Sequence, residues 1–156
     1  MKKLVTSIAF LTLVGCASTN YSDFEMGEAF ISNLEVNEIH NLKKGQHKLK
    51  LSFNYQISKY ANGNDLYSCS VQFLALDGTT TSIQKGKRSP CMLNKAKGEI
   101  SITWPTVLDK TFSPSKEQLS NIKYPMEYFI AIHQQTGKNI NQIIGKTPIQ
   151  ISEVKI

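Results

Sequence analysis

The sequence predicts a mainly β fold, a single β-sandwich with one short helix, and three observations carry that prediction. Residues 48–57 alternate apolar and polar without a break. This puts Leu49, Leu51, Phe53, Tyr55 and Ile57 on one face of a strand and Lys48, Lys50, Ser52, Asn54 and Gln56 on the other. The same period of two recurs over residues 67–73 and 99–104. Turn residues Gly, Pro, Asn and Asp separate what read as roughly six to eight short strands. A small closed β-barrel is the alternative architecture, because evenly spaced short strands serve both.

Taken in order, residues 33–40 hold Leu34, Val36 and Ile39 and are expected to form an early strand. His40 and His47 flank the loop 41–46 that leads into the strand over 48–57. Residues 67–73 direct Cys69 inward beside Val71 and Phe73, where a bridge to another strand or loop is natural. Asp77-Gly78 reads as a hairpin turn feeding a short strand over 79–84. In residues 99–104 the alternation returns, with Trp104 as a core anchor and Pro105 ending the strand. Ser113 as a cap and Pro114 at the first helical position open the one helix, which carries Leu119 and Ile122 and stops before Pro125. Residues 127–133 are apolar on both faces, as expected of a central strand covered on both sides or of one holding an interface. Residues 139–144 suit a helical turn or a strand equally. Residues 148–156 alternate and then shift phase between Ile151 and Val154, which a bulge explains. A domain of this organisation resembles immunoglobulin-like and transthyretin-like modules.

The amino terminus carries a different signal. Lys2 and Lys3 precede an apolar run over residues 4–13, and small residues follow, the order of a secretory signal. A run of about ten residues falls well short of the roughly 20 needed to span a bilayer. Its end, Leu13-Val14-Gly15-Cys16, resembles a bacterial lipobox. That resemblance implies cleavage before Cys16, a diacylglycerol on its sulfur and an acyl chain, such as palmitate, on its new amino group. More than one chain gives stable anchoring where one is marginal. Ala17 after the cysteine resembles the enterobacterial lipoproteins exported to the outer membrane, which implies an anchor on its periplasmic face. Residues 1–15 are thus expected to be a signal peptide, 16–28 a lipidated N-terminus with a flexible tether reaching roughly 20 Å, and 29–156 the β-sandwich domain.

Composition narrows the partners. The formal charge is +6, from 18 Lys and Arg against 12 Asp and Glu, and Lys2 and Lys3 leave with the signal. Arg88 is the only arginine, whereas nucleic-acid readers favour the planar guanidinium, so no nucleic acid is expected as a partner. Once Cys16 is assigned to lipid, Cys69 and Cys91 remain as a pair, expected to be bridged in an oxidising compartment. Such a bridge closes a loop of about 23 residues and contributes roughly 3 kcal/mol. His40, His47 and His133 stand at none of the familiar zinc spacings, and neither a metal nor another cofactor is expected.

No Gly-x-Ser-x-Gly, His-Glu-x-x-His, Gly-x-x-x-x-Gly-Lys or Gly-x-Gly-x-x-Gly occurs. Asp65, Asp77, Asp109 and Glu117 fall in expected turns or the helix, where acids are normally solvated, turn-forming or helix-stabilising, and Glu99 and Glu127 begin strands. No paired-carboxylate site can be argued from them. His40 and His47 can approach each other across the hairpin to bind a metal or to titrate with pH, but the expectation is exposed imidazoles, and for His133 a hydrogen-bonded core or edge residue. The candidate binding loop is Lys85, Lys87 and Arg88, with Lys95 and Lys97 nearby. A Cys69–Cys91 bridge would restrict it and lower the ordering cost of binding. The expected function is a lipid-anchored, non-enzymatic binding or structural module facing the periplasm, an accessory of a secretion or envelope complex. Its partner would be another envelope protein or a cell-wall component. The alternative is an inhibitor or immunity protein directed at a toxin or hydrolase in the envelope. By organisation alone the chain resembles the outer-membrane lipoproteins of type VI secretion machines and the lipoprotein inhibitors of lysozyme, though no defining motif of either is present.

Overall fold

The computed structural model describes residues 27–84, 89–112, 120–138 and 140–154. Within them the strands are, in chain order, β1 (Ala29–Asn41), β2 (Gln46–Ile57), β3 (Tyr67–Leu74), β4 (Thr80–Thr81), β5 (Cys91–Met92), β6 (Lys97–Pro105), β7 (Glu127–Gly137), β8 (Ile140–Lys146) and β9 (Gln150–Ile151). The first sheet has the order β1-β2-β6. In the second, β3 and β7 lie side by side; β4 and β5 pair with β3, and β8 and β9 pair with β7. All pairings are antiparallel. The sheets remain separate and do not close, so the architecture is a β-sandwich and not a barrel.

Alternation builds the core. Leu49, Leu51, Phe53, Tyr55 and Ile57 on β2 are all buried, facing Tyr67, Cys69, Val71 and Phe73 of β3 and Tyr128, Ile130 and Ile132 of β7 in one cluster. Trp104 is wholly buried in the same cluster. Each such side chain contributes about 1.5–3 kcal/mol on leaving water. On the outer face of the second sheet Leu74, Phe129 and Ala131 form a smaller cluster with Ile143 and Ile149 packed against it. Both faces of β7 are therefore covered, as its composition predicted. Cys69 and Cys91 stand directly opposite each other on β3 and β5 and are joined by a disulfide, with their Cα atoms 5.2 Å apart. Ser89 Oγ donates to Cys69 O at 2.9 Å and accepts from Cys91 N at 3.2 Å, which steadies the bridge.

Several expectations need correction. The early strand is longer than the 33–40 expected, and Ile39 is 52% exposed. A bulge between Ser32 and Glu35, with Asn33 in the left-handed region at φ 52°, resets the phase of β1. Glu38, not Ile39, then falls on the half-buried side. Of residues 139–144, those from 140 onward resolve in favour of strand β8, and Asn139 lies outside the described residues. Among the described residues the C-terminal stretch pairs only at Gln150 and Ile151. Beyond them Ser152 and Val154 are buried and Ile151 is exposed, because the chain is captured by a side chain of β1 instead of extending a bulged ladder. The short strand after Asp77-Gly78 is present as β4. Its turn is fixed by Asp77 Oδ1, which accepts from Thr79 N at 3.0 Å and Thr79 Oγ1 at 2.6 Å. Of the expected helix, residues 113–119 lie outside the described residues; Ser120 and Asn121 are helical and Ile122 forms an isolated bridge with Ala75. The tether lies outside them except for Gly27 and Glu28, and Glu28 already belongs to the fold, donating to Ile144 O and accepting from Ser58 N.

The two sheets approach closely where β8 meets the start of β1. A Cβ placed on Gly145 would lie 2.2 Å from Ala29 O, a distance no real contact permits. Gly145→Ala is therefore expected to destabilise the domain by about 1–3 kcal/mol. In urea denaturation, Gly27→Ala, which meets nothing within 4 Å, should leave the midpoint unchanged.

Candidate functional site

Three arrangements of polar side chains stand out, and the first closes one end of the sandwich. The alternation of β2 extends one step past Leu49 to His47, which shares its parity and is completely buried. His47 lies opposite His40 across the β1–β2 hairpin with ring centroids 6.2 Å apart, so the two do approach each other. The expectation that both are exposed holds for His40 and fails for His47. Its Nε2 is 3.1 Å from Glu38 Oε2, and its Nδ1 is 2.7 Å from Thr106 Oγ1 just after β6. Burial lowers the His47 pKa, opposed by the hydrogen bond and charge of Glu38. In the neutral ring Nε2–H donates to Glu38 and Nδ1 is an acceptor facing the Thr106 hydroxyl, whose one proton is shared between Nδ1 and His47 O at 3.2 Å. Glu38 also accepts from Ser152 Oγ at 2.9 Å and from Glu153 N at 3.0 Å. Four segments of chain thus meet on one carboxyl group and one imidazole.

Asp109 sits beside this joint. Of the roles expected for it, the turn-forming one holds and the solvated one does not, since Asp109 is fully buried. Its Oδ1 accepts from the backbone N–H and the hydroxyl of Thr111, which accounts for its place in the turn. Its Oδ2, like Trp104 Nε1, has no hydrogen-bond partner among the described residues. With His47 sealed from solvent, the joint acts as a clamp and offers no surface to a substrate. No group of three His, Cys, Asp or Glu side chains able to hold a metal occurs among the described residues.

The second arrangement lies on β3 and β7. Ser70 Oγ is 2.6 Å from His133 Nε2 and accepts from Gln72 Nε2 at 2.6 Å. Burial pushes the His133 pKa down to about 4. His133 is thus hydrogen-bonded and half-buried, in keeping with the expectation for it. An activated serine needs a base oriented by a third group, and among the described residues no carboxyl is hydrogen-bonded to His133.

The third arrangement is a polar cleft of about 570 Å³ at the opposite end of the sandwich, lined by Tyr60, Asn62, Gly63, Asn64, Asp65 and Asn94. It is built by the loop between β2 and β3 and by the segment leaving β5. Tyr60 stacks on Tyr67 with centroids 5.1 Å apart and planes at 27°. The Tyr67 hydroxyl accepts from Ala61 N at 3.1 Å and donates to Lys59 O at 3.4 Å. Tyr67 O accepts from Leu93 N at 3.0 Å, which sets Asn94 beside the loop. Asp65 occupies the left-handed region at φ 61°, a conformation Asp and Asn tolerate better than most residues.

Of the residues singled out in the sequence, Cys69 and Cys91 are brought together as expected. Cys16 and the loop residues Lys85, Lys87 and Arg88 lie outside the described residues. Lys95 and Lys97 are exposed. Sequence reasoning missed Glu38, because the bulge that turns it inward leaves no mark in the pattern. It also missed the cleft, although Asn62-Gly63-Asn64-Asp65 is an unusual concentration of turn-forming polar residues.

Glu38→Ala should cost about 2–3 kcal/mol in urea denaturation, because it strips acceptors from His47 and Ser152; Glu38→Gln, which keeps an acceptor oxygen, should cost less. A pH series separates out His133. Its folded pKa lies below the ordinary 6.5, so the unfolded chain takes up this proton first. The stabilisation is complete above about pH 6.5 and is lost as pH falls towards 4, by up to about 3 kcal/mol. His47 acts in the same direction. The stability difference between His133→Gln and the natural chain should shift by that amount between pH 7 and pH 4; a constant difference would refute the assignment.

Comparison of the chain with protein-family models, with curated proteins and with solved structures found no match.

Proposed function

We propose that the chain is a lipid-anchored, non-enzymatic binding module of a bacterial cell envelope, fastened through Cys16 to the periplasmic face of the outer membrane. The observation that carries this reading is the charged start, short apolar run and Leu13-Val14-Gly15-Cys16 ending. An independent feature points the same way. The Cys69–Cys91 disulfide lies inside the core, and such bridges persist in oxidising compartments such as the periplasm. With one cysteine lipidated and two bridged, none is left over.

A sandwich held between a closed end and an open cleft is a scaffold for presenting loops. The basic segment with Lys85, Lys87 and Arg88 falls within the covalent ring that the disulfide closes. It would suit an acidic protein face or an anionic wall component. Neither the polar clamp nor the Ser70–His133 pair supplies an exposed nucleophile with an oriented base, so binding is favoured over turnover.

Replacing Cys16 tests the anchor. The natural chain should incorporate labelled palmitate and sediment with membranes, whereas Cys16→Ser should lose the label and stay in the soluble fraction. Equal partitioning of the two chains would sink the proposal.

A further inference from the structure

We infer that the cleft lined by Tyr60, Asn62, Asn64, Asp65 and Asn94 is a binding site for a neutral oligosaccharide. The inference deepens the envelope reading, on which it rests for where such a ligand would be met. Its chemistry comes from the cleft alone.

Size comes first. At about 570 Å³ the cleft falls within the roughly 300–1,000 Å³ common for small-ligand sites. Its lining is unusual for such a site, being dominated by amides and one carboxyl with a single aromatic ring. An apolar ligand would gain little there, and a lipid chain is excluded on the same ground. Phosphates and carboxylates are disfavoured too, since no Lys, Arg or His lines the cleft while Asp65 does. The nearby Lys59 is directed to Glu28, at 3.7 Å.

A sugar satisfies what remains. Neighbouring hydroxyls both donate and accept, and an Asn side chain offers an acceptor oxygen and a donor nitrogen side by side. Asn62, Asn64 and Asn94 use neither in a side-chain hydrogen bond among the described residues, so three amides are free to read hydroxyls. The apolar C–H face of a pyranose needs a flat ring against which to rest, and Tyr60 supplies one. That ring is held before any ligand arrives. Tyr67 stacks against it, its hydroxyl pins the backbone on both sides of it, and its carbonyl fixes Leu93, the neighbour of Asn94. A site ordered in advance loses less entropy on binding. One core residue therefore positions both walls of the cleft.

The test uses the full chain in a zwitterionic detergent, titrated calorimetrically with the tetramer of N-acetylglucosamine, with cellotetraose and with maltotetraose. At least one should bind with a Kd of about 1 mM or tighter. Tyr60→Ala should weaken it about tenfold or more and Tyr60→Phe by less than about threefold. Because Tyr60→Ala also removes packing, Asn62→Ala and Asn94→Ala serve as the fold-neutral variants. Each should weaken binding about three- to tenfold at an unchanged melting temperature. No heat from any of the three sugars up to ~10 mM, or binding indifferent to all of these substitutions, would overturn the inference. So would an uncharged peptide binding in the cleft while the sugars do not. If the sugars fail but Cys16→Ser still releases the chain from membranes, the site falls and the anchored module stands. If a sugar binds and Cys16 proves unmodified, the reverse holds.

Discussion

The phase of β2 is the constraint on which the rest of the structure depends. It is the middle strand of the first sheet, and it faces β3 and β7 with six successive inward positions from His47 to Ile57. A slip of one residue would turn Lys48, Lys50, Ser52 and Asn54 into the core. Both neighbours take their register from it, so Leu51 lies opposite Val36 on β1 and Ile102 on β6. Where β1 cannot keep step over its whole length, it bulges at Ser32 to Glu35 and β2 does not. The strand with the strictest pattern holds its register, and the less regular one adapts.

That hierarchy explains what was legible beforehand. Strands whose inward faces are apolar over most of their length, such as β2 from Leu49 to Ile57 and β3, are visible in the chain because a single period describes them. β7 was visible for the opposite reason, since two buried faces erase alternation. The inward turn of Glu38 was not visible, because one residue at a positive φ moves everything after it by half a period, and Asn33 looks like any other asparagine. Nor was the fate of the last strand. Its ending depends on Glu38, more than a hundred residues away, accepting from Ser152 and Glu153. His47 was recoverable in principle, since it continues the parity of Leu49; polarity alone argued for solvent, and a distant acid reversed the outcome. The cleft joins two segments that sequence order separates, and only the fold brings them together.

The two ends of the sandwich are built on opposite principles. At the hairpin end, polar side chains are spent on one another and sealed, so they stabilise geometry and expose little. At the end where Glu28 leads the chain into the sheets, amides are displayed on a short loop and the ordering is done by a buried tyrosine behind them. The sealed joint and the open cleft are thereby placed at opposite ends of β2. The Ser70–His133 pair belongs to neither end. It ties neighbouring strands of one sheet, as cross-strand polar pairs commonly do.

The covalent link between β3 and β5 has one further outcome. It spans 22 positions of sequence and encloses the stretch that leaves β3, passes through β4 and returns to β5. A protease that nicks the backbone anywhere inside that ring leaves a single connected molecule, because the sulfur bridge holds the two fragments together. Reduction would turn the same nick into separable pieces. A cut within this ring is therefore silent for as long as the surroundings stay oxidising.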